Sequence, residues 1–126
     1  MGKFSDVTYD AEHAFAHVQY KPLVLESVAD VRAFATEIDR ELAKLGKKVD
    51  IIVDLGDLVV RPAVVRAYDD ERQKLFAAYA LRAYRYHGSG LVRTRILTSS
   101  TLHGQAANVF ATFEDARAAL LQDRKR

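Results

Sequence analysis

Cysteine is absent from the 126 residues, which excludes a disulfide framework and a thiolate metal site and fits a reducing compartment. Long apolar runs are absent too: none approaches the roughly 20 residues that a bilayer-spanning helix needs. The start MGKFSDVTYD lacks the apolar h-region of a secretory signal. Met1-Gly2 does not begin a myristoylation signal either, because Asp6 stands where Ser or Thr is required. A cytoplasmic protein without a transmembrane segment is expected. The third scarcity is of acid, since Arg72 to Phe113 holds Arg72, Lys74, Arg82, Arg85, Arg93 and Arg95 but no Asp or Glu. The whole chain carries only +2, so the acids lie elsewhere. So small a total gives no reason to expect nucleic acid, whereas the asymmetry points to an acidic protein partner or a small anion.

What is present is enough for one core. With 49% hydrophobic residues, a chain of this size buries roughly two-thirds of its unfolded surface and has no room for a second core, so residues 1–126 are expected to form a single domain. Asp6 to Asp10 and Ala14 to Lys21 read as an opening hairpin with a turn at Ala11, Glu12 and His13. Ser27 followed by Asp30 is a helix start, and Val31, Phe34, Ala35, Ile38, Leu42 and Leu45 then form an apolar stripe, with Arg32, Glu37, Arg40, Glu41 and Lys44 on the other faces and Gly46 as the stop. Val49 to Pro62, VDIIVDLGDLVVRP, reads as a buried parallel strand delivering Asp54, Gly56 and Asp57 to a sheet edge, where α/β proteins keep their sites.

Pro62 suits the first turn of a second helix, packed through Val65, Tyr68, Leu75, Phe76 and Tyr79. Phe76 to Arg85 consists of good helix formers that run into the strand-like Ala83 to His87, leaving that boundary open. Ser89 caps an expected third helix carrying Leu91, Val92, Ile96 and Leu97 and ending near Gly104; Asn108 to Ala111 is a short strand. Thr112 with Asp115 starts a last helix, Phe113 to about Asp123. The order β-β-α-β-α-β-α-β-α predicts an α/β fold: a mixed sheet with about four helices packed on it.

The sharpest constellation is Tyr86-His87-Gly88-Ser89-Gly90-Leu91-Val92-Arg93. Two glycines allow close backbone approach, a helix start offers N–H groups, and Arg93 or Arg95 can fork onto an anion. It is neither a Walker loop, nor a dinucleotide fingerprint, nor a nucleophile elbow; a glycine turn with a serine cap accounts for the same string. The candidate ligand-binding residues are therefore His87, Gly88, Ser89, Gly90, Arg93 and Arg95, with Asp54, Gly56 and Asp57.

Other groups read as structural. His13 and His17 straddle a turn without a third ligand and are expected at the surface. Asp69, Asp70 and Glu71 point different ways on a helix, as a solvated face. Arg82-Ala83-Tyr84-Arg85-Tyr86 is an interleaving that stacking on bases would use, but core tyrosines alternating with outward arginines give the same string. Ser99, Ser100, Thr101 and His103 have no placed acid or oxyanion site, and Arg124-Lys125-Arg126 reads as a frayed end. No metal or other cofactor is expected.

Taken together, the hairpin with Tyr9-Asp10, the helix ending Leu45-Gly46-Lys47, the strand Ile51-Ile52-Val53-Asp54-Leu55, the turn Tyr86-His87-Gly88-Ser89 and the closing Val109-Phe110-Ala111-Thr112-Phe113-Glu114-Asp115-Ala116 resemble the SpoIIAA-like branch of the STAS (sulfate transporter and anti-sigma-factor antagonist) fold over nearly the whole chain. The resemblance implies a four- or five-stranded sheet covered by helices in a bacterial cytosolic protein. In the anti-sigma-factor antagonists, a phosphorylatable Ser follows the third strand. Here Asp54 to Pro62 contains neither Ser nor Thr, so the phospho-switch does not carry over, and Asp57 reads as a loop aspartate. The expected function is a non-enzymatic binding or regulatory module for an acidic protein partner or small anionic ligand. The alternative is a carrier of a lipid or other apolar molecule, suggested by a similarity to CRAL-TRIO-like domains and by Leu58, Val59 and Val60 in an otherwise polar turn, which packing beneath the second helix also explains. An enzyme comes third.

Overall fold

The computed structural model describes residues 4–56, 58–87 and 109–125. Its elements are β1 (Ser5–Asp10), β2 (Phe15–Tyr20), β3 (Leu23–Leu25), α1 (Val28–Ala43), β4 (Val49–Asp54), β5 (Leu58–Val60), a 3-10 turn (Pro62–Val64), α2 (Val65–Tyr79), β6 (Ala80–Tyr86), β7 (Val109–Phe110) and α3 (Phe113–Arg124). The main sheet has the order β1-β2-β4-β6-β7, with β1 antiparallel to β2 and every other pairing parallel. This is an α/β fold with a mixed sheet and an opening hairpin. Three α-helices lie among the described residues, and the helix expected from Ser89 falls outside them. No helix of the described residues is long and apolar enough to cross a membrane.

Strand alternation divides the core in two. On one face, Ala16, Val18, Ile51 and Val53 meet α1 and α2 through Phe34, Ile38, Leu42, Tyr68 and Leu75. On the other, Phe15, Ile52, Tyr84 and Tyr86 meet Ala116 and Leu120 of α3. Because β4 is covered on both faces, Ile51 and Ile52 are both 0% exposed, the burial expected of a continuous apolar run in a parallel sheet. The α1 start forms the expected capping box: Asp30 N–H donates to Ser27 Oγ at 3.1 Å, and Asp30 Oδ2 accepts from Ser27 N–H at 3.2 Å.

The structure corrects several readings. Leu58, Val59 and Val60 are not a loop but β5, paired in parallel with β3, and Leu58 and Val60 belong to the core while Val59 is exposed. Glu37, placed by periodicity on a polar face, is buried; its Oε2 accepts the N–H groups of Phe4 and Ser5 at 2.8 and 2.9 Å, fixing the start of β1 against α1. The boundary after Phe76 resolves without a loop. Ala80 N–H still donates to Phe76 O, while Ala80 itself has extended backbone and opens β6.

Arg85 does not point outward. Strand alternation turns it to the face opposite Tyr84 and Tyr86, where it is buried with its guanidinium 4.8 Å from the Phe76 ring centroid. Burial, reinforced by the nearby Arg72 charge, lowers its pKa to about 10, which leaves it charged at neutral pH. Asp69, within the segment read as a solvated face, is only partly exposed and lies 3.9 Å from buried Arg72. Nor is Arg124 a frayed residue: it bonds Asp50 and the carbonyl oxygens of His13 and Ala14, closing α3 onto the hairpin.

Candidate functional site

Parallel strands ending side by side leave their last residues at one edge of the sheet, and β4 and β6 do so with Asp54 opposite Tyr86. Leu55 N–H donates to Tyr86 O at 2.9 Å, which ties the two strand ends together. The chain then turns sharply on both sides. Asp54 Oδ1 accepts Gly56 N–H at 2.8 Å, the local side-chain turn that aspartate makes with the amide two residues on. His87, directly after β6, adopts φ 68°, a left-handed backbone that few residues other than glycine take up. Its Nδ1 lies 3.1 Å from Asp54 Oδ1.

Gly56 permits this closeness. A Cβ on Gly56 would stand 3.0 Å from Asp54 Oδ1 and 3.9 Å from His87 Cβ, so any larger residue would press on the carboxylate that binds its own amide. Three of the sequence candidates, Asp54, Gly56 and His87, are thus brought together by two different strands. The remaining candidates, Asp57, Gly88, Ser89, Gly90, Arg93 and Arg95, lie outside the described residues.

Two further side chains complete the edge. His17, on the α3 face of β2, has Nε2 2.6 Å from Tyr86 Oη, and its ring stacks on Phe113 with centroids 4.6 Å apart. It is therefore half-buried and bonded rather than a surface histidine. Burial pushes its pKa below the usual 6.5, with the Asp54 charge acting in the opposite direction. Tyr86 is buried; that burial, then the nearby Asp54 carboxylate, and last Glu114, drive its hydroxyl well above the ordinary tyrosine range. At neutral pH Tyr86 consequently keeps its proton as a donor.

Sequence reading missed His17 because its partner lies 69 positions away. Parity along β2 places His17 on the same face as Phe15, but only the strand order reveals that Tyr86 reaches it across β4. His13 parts company with His17 altogether. It stays in the hairpin turn, where Asp10 Oδ1 accepts its N–H at 2.9 Å. Glu12 completes a group of three whose potential metal-ligating atoms lie within 4.8 Å of one another. His17 is not part of that group, and the turn is closed by Asp10, whose carboxyl is held below its usual pKa chiefly by the His13 N–H.

The edge offers a protonated tyrosine hydroxyl, a carboxylate already engaged by an amide, and two imidazoles. His87 is half-exposed at the rim, and His17 sits inside. Such a set can bind and orient a polar group. No protein-family model matches the chain, and no curated protein matches it.

Proposed function

We propose that this protein is a non-enzymatic binding or regulatory module whose site is the edge at Asp54, Gly56 and His87, and that it takes the anionic group of a small ligand or of an acidic protein partner. The observation that carries this reading is the juxtaposition of Gly56 with His87: glycine keeps the floor of the turn open, and a left-handed His87 brings an exposed imidazole to its rim. His87 also begins a stretch, 87–113, that contains Arg93 and Arg95 but no acid, a sequence bias in charge that favours an anionic ligand. The reading includes membership of the SpoIIAA-like STAS group, supported by the opening hairpin and by the alternation of parallel strands with helices, and the cytoplasmic location that such membership implies.

The carrier alternative has less to rest on. Two of the three apolar residues that suggested it, Leu58 and Val60, are core residues of β5, and the cavity between the sheet, α1 and α2 is about 20 Å³, room for one water molecule rather than an acyl chain. Titration with sulfate, monitored by amide NMR at low and high ionic strength, tests the proposal. Shifts centred on Gly56 and His87 that weaken with added salt are expected. Salt-independent shifts centred on 58–60 would favour the carrier.

A further inference from the structure

We infer that the protein has a second binding site, at the end of the sheet opposite Asp54, which takes a small organic carboxylate through Lys48 and Arg82 and covers its apolar body with Phe76 and Leu81. This goes beyond the edge at Asp54 and does not depend on it.

The site follows from an irregularity in strand pairing. β4 and β6 are parallel, and Val49 pairs with Ala80 while Ile51 pairs with Ala83. Two steps along β4 therefore correspond to three along β6, which gives β6 one extra residue at Leu81 and Arg82. Such a bulge re-aims side chains that regular alternation would send onto the covering layers. Leu81 is 67% exposed, more than any other large hydrophobic residue described, and the Arg82 side chain is 44% exposed. An apolar side chain and a cation consequently stand next to each other near the start of β6.

Both border a cavity of about 600 Å³, within the roughly 300–1,000 Å³ of small-molecule sites. Phe76 and Ala77 from the last turn of α2, with Ala80, Leu81 and Ala83 of β6, form its apolar wall. The remaining lining is charged or aromatic: Lys48 just before β4, Arg82, Arg85, and Asp123 beside buried Tyr84. Five residues of β4 separate this end from Asp54, a distance of roughly 15–20 Å.

The charges decide what the cavity accepts. Asp123 is committed, since its Oδ2 accepts the Tyr84 hydroxyl at 2.7 Å. Arg85 is fixed over the Phe76 ring, 4.8 Å from its centroid. Arg82 is held weakly, because its described ion pair is a 3.9 Å approach to an Asp50 oxygen that Arg124 already binds at 2.9 and 3.0 Å. Among the described residues Lys48 makes no ion pair. The carbonyl ends of α2 and α3 point to this side of the molecule and together oppose an anion by roughly one charge. Three cations against Asp123 and those two helix ends leave the balance positive. An Arg fork with a Lys point charge suits a carboxylate, and covering Leu81 and Phe76 rewards a ligand that carries an apolar body as well.

The test is NMR titration of the full chain with phenylacetate, with phenylacetamide as the uncharged probe and acetate as the probe without an apolar body. Phenylacetate should give saturable shifts at the Ala77, Ala80, Leu81 and Ala83 amides at about millimolar concentration. Each partial probe should bind about tenfold more weakly, as should phenylacetate to Lys48→Gln or Arg82→Gln. Arg40→Gln, at an exposed position of α1 outside the cavity lining, should bind as the unaltered protein does. Leu81→Asp, at a position exposed enough to spare the fold, should abolish the shifts. Three results would each overturn the site: shifts confined to Gly56 and His87, phenylacetamide binding as tightly as phenylacetate, or Lys48→Gln and Arg82→Gln binding as well as Arg40→Gln.

Discussion

Arg124 in the last turn of α3 places Nε and Nη2 at 3.0 and 2.9 Å from Asp50 Oδ2, on a carboxylate that is 3% exposed near the start of β4. The same guanidinium reaches the carbonyl oxygens of His13 and Ala14 in the hairpin turn. One side chain therefore ties the end of the chain to its first hairpin and to its central strand. Ala14 has φ 55°, so the carbonyl that Arg124 binds belongs to a turn of unusual backbone, which the contact helps to hold.

Arg124→Ala is accordingly expected to destabilise the protein by about 1–3 kcal/mol, because it leaves a buried carboxylate with weaker compensation from Arg82 at 3.9 Å. Chemical denaturation measures this. Lys125→Ala, at an exposed neighbour, should stay within about 0.5 kcal/mol.

Ile52→Ala should cost about 2–5 kcal/mol, since Ile52 is enclosed by Phe15, Tyr84, Tyr86 and α3 and the space cannot collapse freely. A loss no larger than that of a surface substitution, measured in the same denaturation series, would show that the α3 face is not a closed core.

His17 adds a pH dependence with a definite sign. Its folded-state pKa is depressed below 6.5 by burial, so the unfolded chain takes up a proton before the folded one does. Its contribution is neutral above the unfolded pKa; stability is lost as pH falls from 6.5 through the lower folded value, and the loss is complete below it. Comparing unfolding free energies of the unaltered protein and His17→Gln across this window should show a shallower decline in the variant. Parallel declines would mean that His17 does not titrate differently in the fold.

Gly56→Ala should disturb the site more than the fold. The added Cβ meets a side-chain oxygen at 3.0 Å rather than backbone, so Asp54 yields by a few tenths of an ångström and the contact to His87 changes with it. The expected result is weakened sulfate binding, with stability lowered by no more than about 1 kcal/mol; calorimetry and chemical denaturation together check it.

Regulation through phosphate on Ser or Thr between Asp54 and Pro62 is chemically excluded, because the segment has no such hydroxyl. Mass spectrometry of the protein isolated from its host should find no regulatory phosphate on this chain. A regulatory phosphate at Ser89 would restore a phospho-switch in a different position.

The sequence by itself determined the elements whose signals are local. A run such as 49–54 states its own burial, Ser27 with Asp30 and Thr112 with Asp115 state their helix starts through groups three residues apart, and the α1 stripe names its own inner face. It also placed Asp54 and Gly56 at a sheet edge, because a strand end carries that information along the chain, whereas the pairing of β4 with β6 is what brings His87 to the same edge. Tertiary structure decided whatever depends on distant partners. The periodicity of α1 could not show that Glu37 would be buried against the amides of Phe4 and Ser5 at the start of β1, nor could the alternation in β6 reveal that both of its faces are covered, so that Arg85 is enclosed along with Tyr84. Leu58 to Val60 became a strand only because Leu23 to Leu25 lay parallel to it. His17 gained its role in the same way: a lone histidine on a strand carries no local sign of its partner, and only the order β2-β4-β6 brings Tyr86 across Ile52 to meet it. Hydrogen bonds and burial between remote segments are properties of the folded arrangement, whereas capping, turn formation and strand alternation are fixed by the covalent neighbourhood.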